Sequence, residues 1–343
     1  MQYDYIIVGQ GLSGTHTAWQ LIQKGCHVLV IDKGLPYAAS MAAAGIINPV
    51  SGRRFALAWK FDEVFQTAKD VYAQMEEFLP HPVFKETDIY SVWPSEQMKE
   101  AFLSQLNSGN PYLKPHEGTL YQDIGQPLGA GWIKGAHVNI FALLSVFRNL
   151  LIKKKALVQD TLGEADLKVD GKNVQFGDFS AKAIVFCDGA HQCEKFVLPG
   201  VVPAKGEAII VEIPGWEGNN IVKKTNSLVP LGKGRYWYGA TLQREFEHDK
   251  PTTAAKDELE DQLKSLISLP FKTVDVIAGV RATTVDRRPV VGKDPRFGNV
   301  YHCNGLGTKG SSLAPFAALN LVKFMEGEVP SIDPEMDLNR YFN

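Results

Sequence analysis

The sequence predicts an α/β protein in which a parallel-sheet unit alternates along the chain with a second, α+β unit carrying an antiparallel or mixed sheet. Three observations lead to this prediction. The chain begins with a strand, a helix and another strand, an order typical of parallel sheets. Between Pro82 and Ala136 the composition changes to short β-like pieces and turns. Buried-strand patterns return after residue 180 and again near the C-terminus.

The parallel-sheet unit is expected to open with the apolar run Tyr3–Val8, a helix over Gly14–Lys24 and the buried strand Val28–Ile31. Aromatic and aliphatic residues at mixed three- and four-residue spacing then predict an amphipathic helix across Phe55–Leu79. A second long helix is predicted over Asn139–Lys153, because its apolar residues follow the same period.

The later elements alternate between the two units. They are the predicted strands Ala181–Phe186, Glu207–Ile213, Arg235–Thr241, Val276–Gly279, Val290–Val291 and Val300–His302 and the predicted helices Thr253–Ser268 and Ser311–Met325. We therefore expect two discontinuous domains. One would consist of residues 1–80, 137–202 and 276–343, and the other, which would shape the substrate pocket, of residues 81–136 and 203–275.

Length, charge and cysteine content exclude several classes of protein. At 343 residues, the chain is long enough for about two domains. The formal net charge of -2 gives no electrostatic reason to expect a nucleic acid or an anionic membrane as partner. The four cysteines contain no C-x-x-C pair, which argues against a zinc site or a disulfide framework. No signal peptide is visible and no apolar run reaches the roughly 18 residues of a membrane helix, so we expect a soluble, cytoplasmic protein.

The loop after the first strand contains Gly9, Gly11 and Gly14 in G-x-G-x-x-G spacing. Because this pattern follows a strand, opens a helix and precedes Asp32 at the end of the second strand, it indicates a dinucleotide site in a Rossmann-like domain. The glycines permit the tight turn, the approach of a pyrophosphate and close packing of helix on strand. The helix N-terminus offers free N–H groups to the phosphates. Asp32 can bind an adenosine ribose and would repel a 2′-phosphate, which argues against NADP.

A second glycine-rich loop, NGLGTKGSSLAP, spans Asn304–Pro315. Ordering so much glycine costs conformational entropy, so we expect a ligand or a close approach of backbone there. NAD dehydrogenases rarely need such a loop so far from the first one. FAD has an isoalloxazine ring at a distance from its adenosine, and that ring needs a second cradle. The two loops together therefore favour FAD.

Further stretches of the chain match a known pattern in the same order. They are the dinucleotide loop itself, the segment Ala39–Pro49 beside the predicted flavin, the strand and glycine turn Ala183–Ala190, the segment Gly279–Gly292, and the loop Asn304–Gly310. With these motifs, essentially the whole chain resembles the D-amino-acid oxidase-like superfamily of FAD-dependent oxidoreductases, which includes glycine oxidase and sarcosine oxidase. The resemblance implies an FAD-binding domain interleaved with a substrate domain.

The chain also departs from this family at several positions. Ala282 stands where the family usually has proline, and Arg287 and Arg288 replace residues that are usually small or neutral. Leu306 stands where sarcosine oxidases tend to carry histidine. The segment 279–292 has no cysteine at which flavin could be attached, so the comparison implies noncovalent FAD.

The motifs and the resemblance together predict the residues that contact FAD. These are Gly9, Gly11, Leu12, Ser13, Gly14, Asp32, Lys33, Ser40, Met41, Ala44, Gly45, Ile46, Val158, Gly189, Gly305, Leu306, Gly307, Thr308, Lys309 and Gly310.

The resemblance implies oxidation of an amine or amino acid at the carbon bearing nitrogen, with a hydride equivalent passing to flavin N5. Arg281 aligns with the arginine that pairs with the substrate carboxylate in glycine and D-amino-acid oxidases; its alternative is an ion pair with Asp286. Lys309 falls where sarcosine oxidases hold this carboxylate with a lysine; its alternatives are a surface position or a bond to flavin alone. Arg54 is a third candidate, with a solvated turn as the alternative. No general base is assigned, because the interior histidines are more often structural.

Two other functions stay open. The segment G-I-I-N-P-V-S-G-R-R-F has some likeness to the oxidase module of the bifunctional enzyme that modifies wobble uridine in tRNA. This function ranks second, because neither a basic patch nor the partner methyltransferase domain is visible. A flavin-binding protein without turnover is the other alternative. The favoured partner is a small anionic amine or amino acid, and the electron acceptor stays open between oxygen, a quinone and another protein.

Overall fold

Two large β-sheets, each covered by helices, organise the chain in a mixed α/β fold. The computed structural model describes residues 1–35, 37–117, 122–125, 127–160, 167–170, 173–216 and 218–342. Every helix in these ranges is too short or too polar to cross a bilayer.

The described helices are α1 (Leu12–Gln23), α2 (Ala39–Ala42), α3 (Phe61–Glu76), α4 (Glu96–Asn107), α5 (Ile140–Lys153), α6 (Thr253–Lys264) and α7 (Gly310–Met325). The described strands are β1 (Gln2–Val8), β2 (Val28–Ile31), β3 (Ile46–Ile47), β4 (Val50–Ser51), β5 (Ala56–Leu57), β6 (Phe84–Val92), β7 (Leu113–Pro115), β8 (Ala130–Val138), β9 (Leu157–Val158), β10 (Leu167–Val169), β11 (Val174–Phe176), β12 (Phe179–Phe186), β13 (Val201–Glu212), β14 (Ile221–Lys223), β15 (Ser227–Gly232), β16 (Arg235–Gly239), β17 (Lys272–Thr284), β18 (Val290–Lys293) and β19 (Val300–Asn304).

The first sheet has a parallel centre in the order β9, β2, β1, β12, β19. Both faces of this centre are buried. Ile7 packs in the core formed with α1, α3, α5 and α7, whereas Ile6 and Val8 pack with Phe186 on the other side. Continuous apolar strands are the expected composition for such a sheet. Its strands end at one common edge, where ligands bind in open α/β folds.

The second sheet is mixed and follows the order β17, β13, β16, β15, β14, β6, β8, β3, with β7 beside β8. Helix α6 covers one face through Leu259 and Leu263. The short strand β3 (46–47) also joins this sheet, although the sequence assigns residues 1–80 to the other domain. The exact domain boundaries therefore stay a prediction, while the alternation of the chain between two sheets is a feature of the fold.

Some predicted elements have different bounds in the structure. The helix expected across 55–79 begins at Phe61, because Ala56–Leu57 pairs with Val50–Ser51 in a hairpin. Phe55 and Lys60 both have positive φ. The chain turns at both residues, and the second turn separates the hairpin from the helix. The segment 82–136 also contains a helix that the sequence analysis did not assign, α4. Its N-terminus is capped by Ser95 Oγ, which accepts a hydrogen bond from the Met98 backbone N–H at 3.3 Å.

Candidate active site

A cavity of about 740 Å³ lies between the end of the parallel strands and one face of the second sheet. Residues of the first sheet and of segment 38–46 line the part that we call the cofactor half. Residues of β13, β14, β16 and β17 line the part that we call the substrate half. One cavity therefore joins the two units of the fold.

Most of the predicted cofactor contacts line this cavity. They are Gly9, Gly11, Leu12, Ser13, Asp32, Lys33, Ser40, Met41, Ala44, Gly45, Ile46, Gly189, Leu306, Gly307, Thr308 and Gly310. The lining does not include Gly14, Val158, Gly305 or Lys309. Val158 instead accepts a hydrogen bond from the Asp32 backbone N–H at 3.0 Å, so it holds the chain at the end of β2.

The first glycine loop brings helix and strand into direct contact. Gly9 has a φ of +95°, and a Cβ at this position would lie 2.6 Å from the Cys187 carbonyl oxygen. A Cβ on Gly14 would lie 1.8 Å from the Gly9 carbonyl oxygen. Helix α1 begins without an acidic residue in its first turn, and the backbone N–H groups of Ser13 and Gly14 have no acceptor among the described residues. Free N–H groups at a helix N-terminus form an anion site.

Asp32 is fixed at the edge of the first sheet by three donors. Its Oδ2 accepts from the Gln10 backbone N–H at 2.8 Å, and its Oδ1 accepts from the Gly34 backbone N–H at 2.9 Å. Arg148 Nη1 of α5 donates to Oδ1 at 2.8 Å and also lines the cavity. Sequence reasoning missed Arg148. Its only signal was a charged residue in the middle of a mostly apolar helix.

The second glycine loop lies beside the first, although almost 300 residues separate them. Ser13 Oγ of α1 donates to the Cys303 carbonyl oxygen at the end of β19. Gly305 and Gly307 both have positive φ, and the Gly307 backbone N–H donates to the Ala282 carbonyl oxygen at 2.9 Å. The loop is thereby held between α1 and β17, and helix α7 starts directly after it.

A third segment closes the cofactor half from the side. Gly45 has a φ of +76°, and a Cβ there would lie 1.9 Å from the Val138 carbonyl oxygen. A Cβ on Gly279 of β17 would lie 2.8 Å from the Ala39 Cα. Trp237 Nε1 donates to the Ala42 carbonyl oxygen at 3.0 Å. Segment 39–45 is therefore packed tightly between the two sheets, along the wall of the cavity.

The family model described as DAO, FAD-dependent oxidoreductase, matches residues 4–323. The chain belongs to this family. It is therefore an FAD-dependent oxidoreductase, as the two glycine loops led us to expect. Binding of FAD without a covalent link stays a prediction.

Relatives and solved structures agree with this assignment. An uncharacterized oxidoreductase, YurR, of Bacillus subtilis strain 168 is 26% identical, and the match covers 98% of both chains. Glycine oxidase from Geobacillus kaustophilus has the same fold, with a TM-score of 0.83, 19% identity and 100% of both chains covered. Iminodiacetate oxidase from Chelativorans sp. BNC1 gives a TM-score of 0.80, 20% identity and 98% coverage of both chains.

The geometry of the DAO chain fits FAD at both ends of the cofactor half. The free N–H groups of α1 suit a pyrophosphate, and the fixed carboxylate of Asp32 suits a ribose. Gly45 and Gly307 both line the cavity. At Gly45 a Cβ would overlap the Val138 carbonyl oxygen, so a residue with a side chain could not pack this close to β8.

The substrate half contains Arg281, a half-buried residue of β17 that lines the cavity. Its guanidinium lies over Gly206, where a Cβ would come within 1.9 Å of Nη2. Nη1 donates to the Thr241 carbonyl oxygen at 3.3 Å. No described carboxylate forms an ion pair with this guanidinium, and Asp286 pairs with Arg340 instead, at 2.9 Å. Burial lowers the pKa of Arg281 from its ordinary value.

The other two predicted substrate residues do not line the cavity. Lys309 Nζ donates to Ser51 Oγ at 2.7 Å and is half-buried between its loop and the β4–β5 hairpin. Burial and the nearby charge of Arg287 lower the pKa of Lys309. Arg54 is exposed in the turn of the same hairpin. The roles of both residues in substrate binding stay predictions.

Two further polar residues of the cavity were not singled out from the sequence. Lys223 of β14 lines the substrate half, and burial lowers its pKa. Asp188 follows β12; its Oδ1 accepts from Asn304 Nδ2 at 3.0 Å. Burial raises the pKa of Asp188 to about 7. Asp188 lies in the segment Ala183–Ala190, which matches the family, but no role was assigned to it from the sequence. Lys223 belongs to none of the matched segments, so only the folded chain reveals it.

The interior histidines differ in their surroundings. His302 is buried, and its Nε2 lies 3.0 Å from Asp294 Oδ2, away from the cavity lining. His191 lines the cavity and is half-buried, whereas His137 lies on β8 in the second sheet. Burial lowers the pKa of all three. No general base is assigned to any of them.

Proposed function

We propose that this chain oxidises the C–N bond of a small anionic amine or amino acid. FAD, when bound, would supply the two-electron oxidant: the substrate carbon would give up a hydride and its nitrogen a proton, which leaves an imine. Water then adds to the imine carbon and releases a carbonyl compound and an amine or ammonia.

The observation that carries this proposal is the unpaired guanidinium of Arg281. It lies in the same cavity as both glycine loops, and within the described residues its hydrogen-bond partner is the Thr241 carbonyl oxygen alone. The carbonyl oxygen of the next residue, Ala282, accepts a hydrogen bond from the Gly307 backbone N–H of the second loop. A carboxylate bound to Arg281 would therefore lie beside the predicted flavin ring. The planar fork of arginine suits a bidentate bond to a carboxylate.

The start of α7 supports the same function. It begins at Gly310, which together with Gly307 lines one end of the cavity, and a helix N-terminus carries partial positive charge. A positive dipole that is fixed in advance stabilises negative charge as it develops. The walls that segment 39–45 and Trp237 form exclude water and hold the substrate close to its acceptor.

The names of structural neighbours support amine substrates as a class. They include glycine oxidase, iminodiacetate oxidase and the L-amino acid deaminase of Proteus vulgaris. These likenesses lie at or below 20% identity, so they support the class and not a particular substrate.

An anaerobic screen of the purified yellow protein tests the proposal. Loss of flavin absorbance is expected with at least one amine or amino acid and not with the matching hydroxy acids. Arg281→Gln should keep FAD bound and raise the KM for that substrate by roughly tenfold or more, because a charged hydrogen bond is lost. Arg235→Gln, at a surface residue paired with Glu212, should leave KM unchanged.

Three results would count against the proposal. An unchanged KM in Arg281→Gln removes the assigned carboxylate site. A yellow protein that no amine bleaches supports a flavin protein without turnover. Bleaching only by modified tRNA, with no free amine active, supports the wobble-uridine module.

A further inference from the structure

A second cation without a carboxylate partner lines the substrate half. Lys223 Nζ has neither a hydrogen bond nor an ion pair within the described part of the chain, although the residue is half-buried. An ammonium group that is partly removed from water and has no hydrogen-bond acceptor or counter-ion is unfavourable in free energy. A bound anion would offset this cost.

The strand register puts Lys223 and Arg281 on the same face of the second sheet. Directly paired residues share a face, and one such row runs through Lys223, Ser227, Gly239 and Ala208. Arg281 pairs with Ala204, which lies four residues before Ala208 on β13. Because side chains alternate along a strand, Ala204 and Ala208 face the same side.

This common face is the one that faces the cavity. Trp237, two residues before Gly239 on β16, shares the face and reaches the Ala42 carbonyl oxygen across the cavity wall. The backbones of β14 and β17, which carry the two cations, are separated by four strand spacings, or about 19 Å. The two side chains therefore enter the substrate half from widely separated strands and are available as two separate anion sites.

The carboxylates in the same cavity have other partners. Glu207 points to the opposite face, where it pairs with Lys205 Nζ at 2.9 Å and accepts from the Thr252 backbone N–H at 2.6 Å. Asp32 pairs with Arg148, and Asp188 accepts from Asn304. Among the described residues, none forms an ion pair with Lys223 or Arg281, so the two positive charges are left for a ligand.

We propose that the substrate is a small amine with two carboxylates, one bound by Arg281 and the other by Lys223. This inference rests on the proposed function, because it takes the cavity ligand to be the amine that is oxidised. Lys223 is then the residue that selects dicarboxylates over monocarboxylates.

Pairs of amines that differ by one charge test this selection. The pairs are aspartate with asparagine, glutamate with glutamine, and iminodiacetate with N-methylglycine, the amino acids in both enantiomers. The second-order rate constant of anaerobic flavin reduction is measured for each. A second readout, independent of turnover, is the change in the flavin absorbance spectrum on titration with succinate or malonate, compared with propionate or acetate.

For at least one pair, the rate constant of the wild-type protein should be roughly tenfold or more higher with the dicarboxylate. This ratio corresponds to the free energy of one charged hydrogen bond. Lys223→Gln should bring this ratio close to one and should weaken succinate or malonate binding by a similar factor. Lys224→Gln is the matched control, because Lys224 Nζ donates to the Ser265 carbonyl oxygen outside the cavity. Both variants should retain FAD absorbance and the wild-type melting temperature.

The outcomes separate the inference from the proposed function. If amines reduce the flavin but Lys223→Gln keeps the wild-type ratio, the inference is wrong and the proposed function stands. If no amine reduces the flavin but succinate or malonate binds through Lys223, the proposed function is wrong and so is the amine part of the inference. Equal rates within every pair for the wild type would also overturn the inference.

Discussion

The two halves of the cavity are held in shape by different interactions. In the cofactor half, backbone touches backbone: Gly9, Gly14 and Gly45 each leave no room for a Cβ. In the substrate half, side chains on one face of a sheet line the cavity, and a buried ion pair lies on the opposite face. The shape of the cofactor half therefore depends on positions without side chains, whereas the properties of the substrate half depend on the charge of its side chains.

The largest effect is expected in the substrate half, at the ion pair behind it. The side chains of Lys205 and Glu207 are 1% and 0% exposed. Lys205→Met should lower the free energy of unfolding by about 3–5 kcal/mol, because it leaves a buried carboxylate without its counter-ion. Urea denaturation of the FAD-bound protein measures this change.

The double variant Lys205→Met/Glu207→Leu is the control for this pair. Removing both charges should recover most of the lost stability, since apolar pairs of similar volume often replace buried ion pairs without loss. A cost below about 1 kcal/mol for Lys205→Met would indicate a solvated pair, as at a protein surface. A buried charge pair would then not be what stabilises the substrate half, and the two halves would not differ in this respect.

The next effect is expected at the backbone contact of the cofactor half. Gly14→Ala puts a Cβ where it lies 1.8 Å from the Gly9 carbonyl oxygen, so α1 must move away from β1. We expect a loss of about 1–3 kcal/mol in the free energy of unfolding, as in overpacked cores, together with lower FAD content. Urea denaturation and the ratio of flavin to protein absorbance measure the two effects.

Gly11→Ala sharpens this prediction. A Cβ on Gly11 meets the Ser40 side chain, with Oγ at 3.0 Å and Cβ at 3.8 Å. Ser40 can give way by turning about χ1, at the cost of the hydrogen bond that its Oγ accepts from the Leu12 backbone N–H. The variant should keep its stability within about 1 kcal/mol, as for tolerated substitutions, while FAD binds more weakly because the pyrophosphate approaches there. Equal destabilisation by both substitutions would mean that backbone contact does not distinguish the two positions.

The same difference decides what could be predicted from the sequence. Gly9, Gly11 and Gly14 follow a fixed spacing because one local turn needs all three. The cofactor half could therefore be predicted from a single short sequence motif. FAD followed from this loop and its partner near the C-terminus, the α/β fold from the order of strands and helices, and the family from these two loops together with three further stretches. Arg148, by contrast, reaches Asp32 only because α5 packs beside β2, and no local pattern records that contact.

The substrate half was less visible for the same reason. Lys223 and Arg281 are brought to one face by the pairing of five strands, which depends on the whole sheet. Arg281 could be named only because it lies in a stretch that resembles other oxidases. The turn at Phe55 and Lys60 was missed because non-glycine residues with positive φ have a weak sequence signal.

The last effect concerns the pH dependence of stability at Asp188, a buried carboxyl group that lines the cavity. The carboxyl accepts from the Cys193 backbone N–H at 3.2 Å and from Asn304, yet burial raises its pKa to about 7. An unfolded chain has the ordinary Asp pKa, near about 3.9, so the folded protein binds more protons between these two values. Stability from this group is therefore complete below about pH 4 and is lost as pH rises toward 7.

Asp188→Asn removes this pH dependence. Between pH 5 and 7, the wild-type free energy of unfolding should fall relative to the variant, by less than the about 1.4 kcal/mol per pH unit that one full proton gives. Urea midpoints of both proteins at matched ionic strength measure the difference. Parallel curves for the two proteins, or a wild-type curve that rises relative to the variant, would mean that Asp188 is ionised throughout and that water or FAD solvates this wall of the cofactor half.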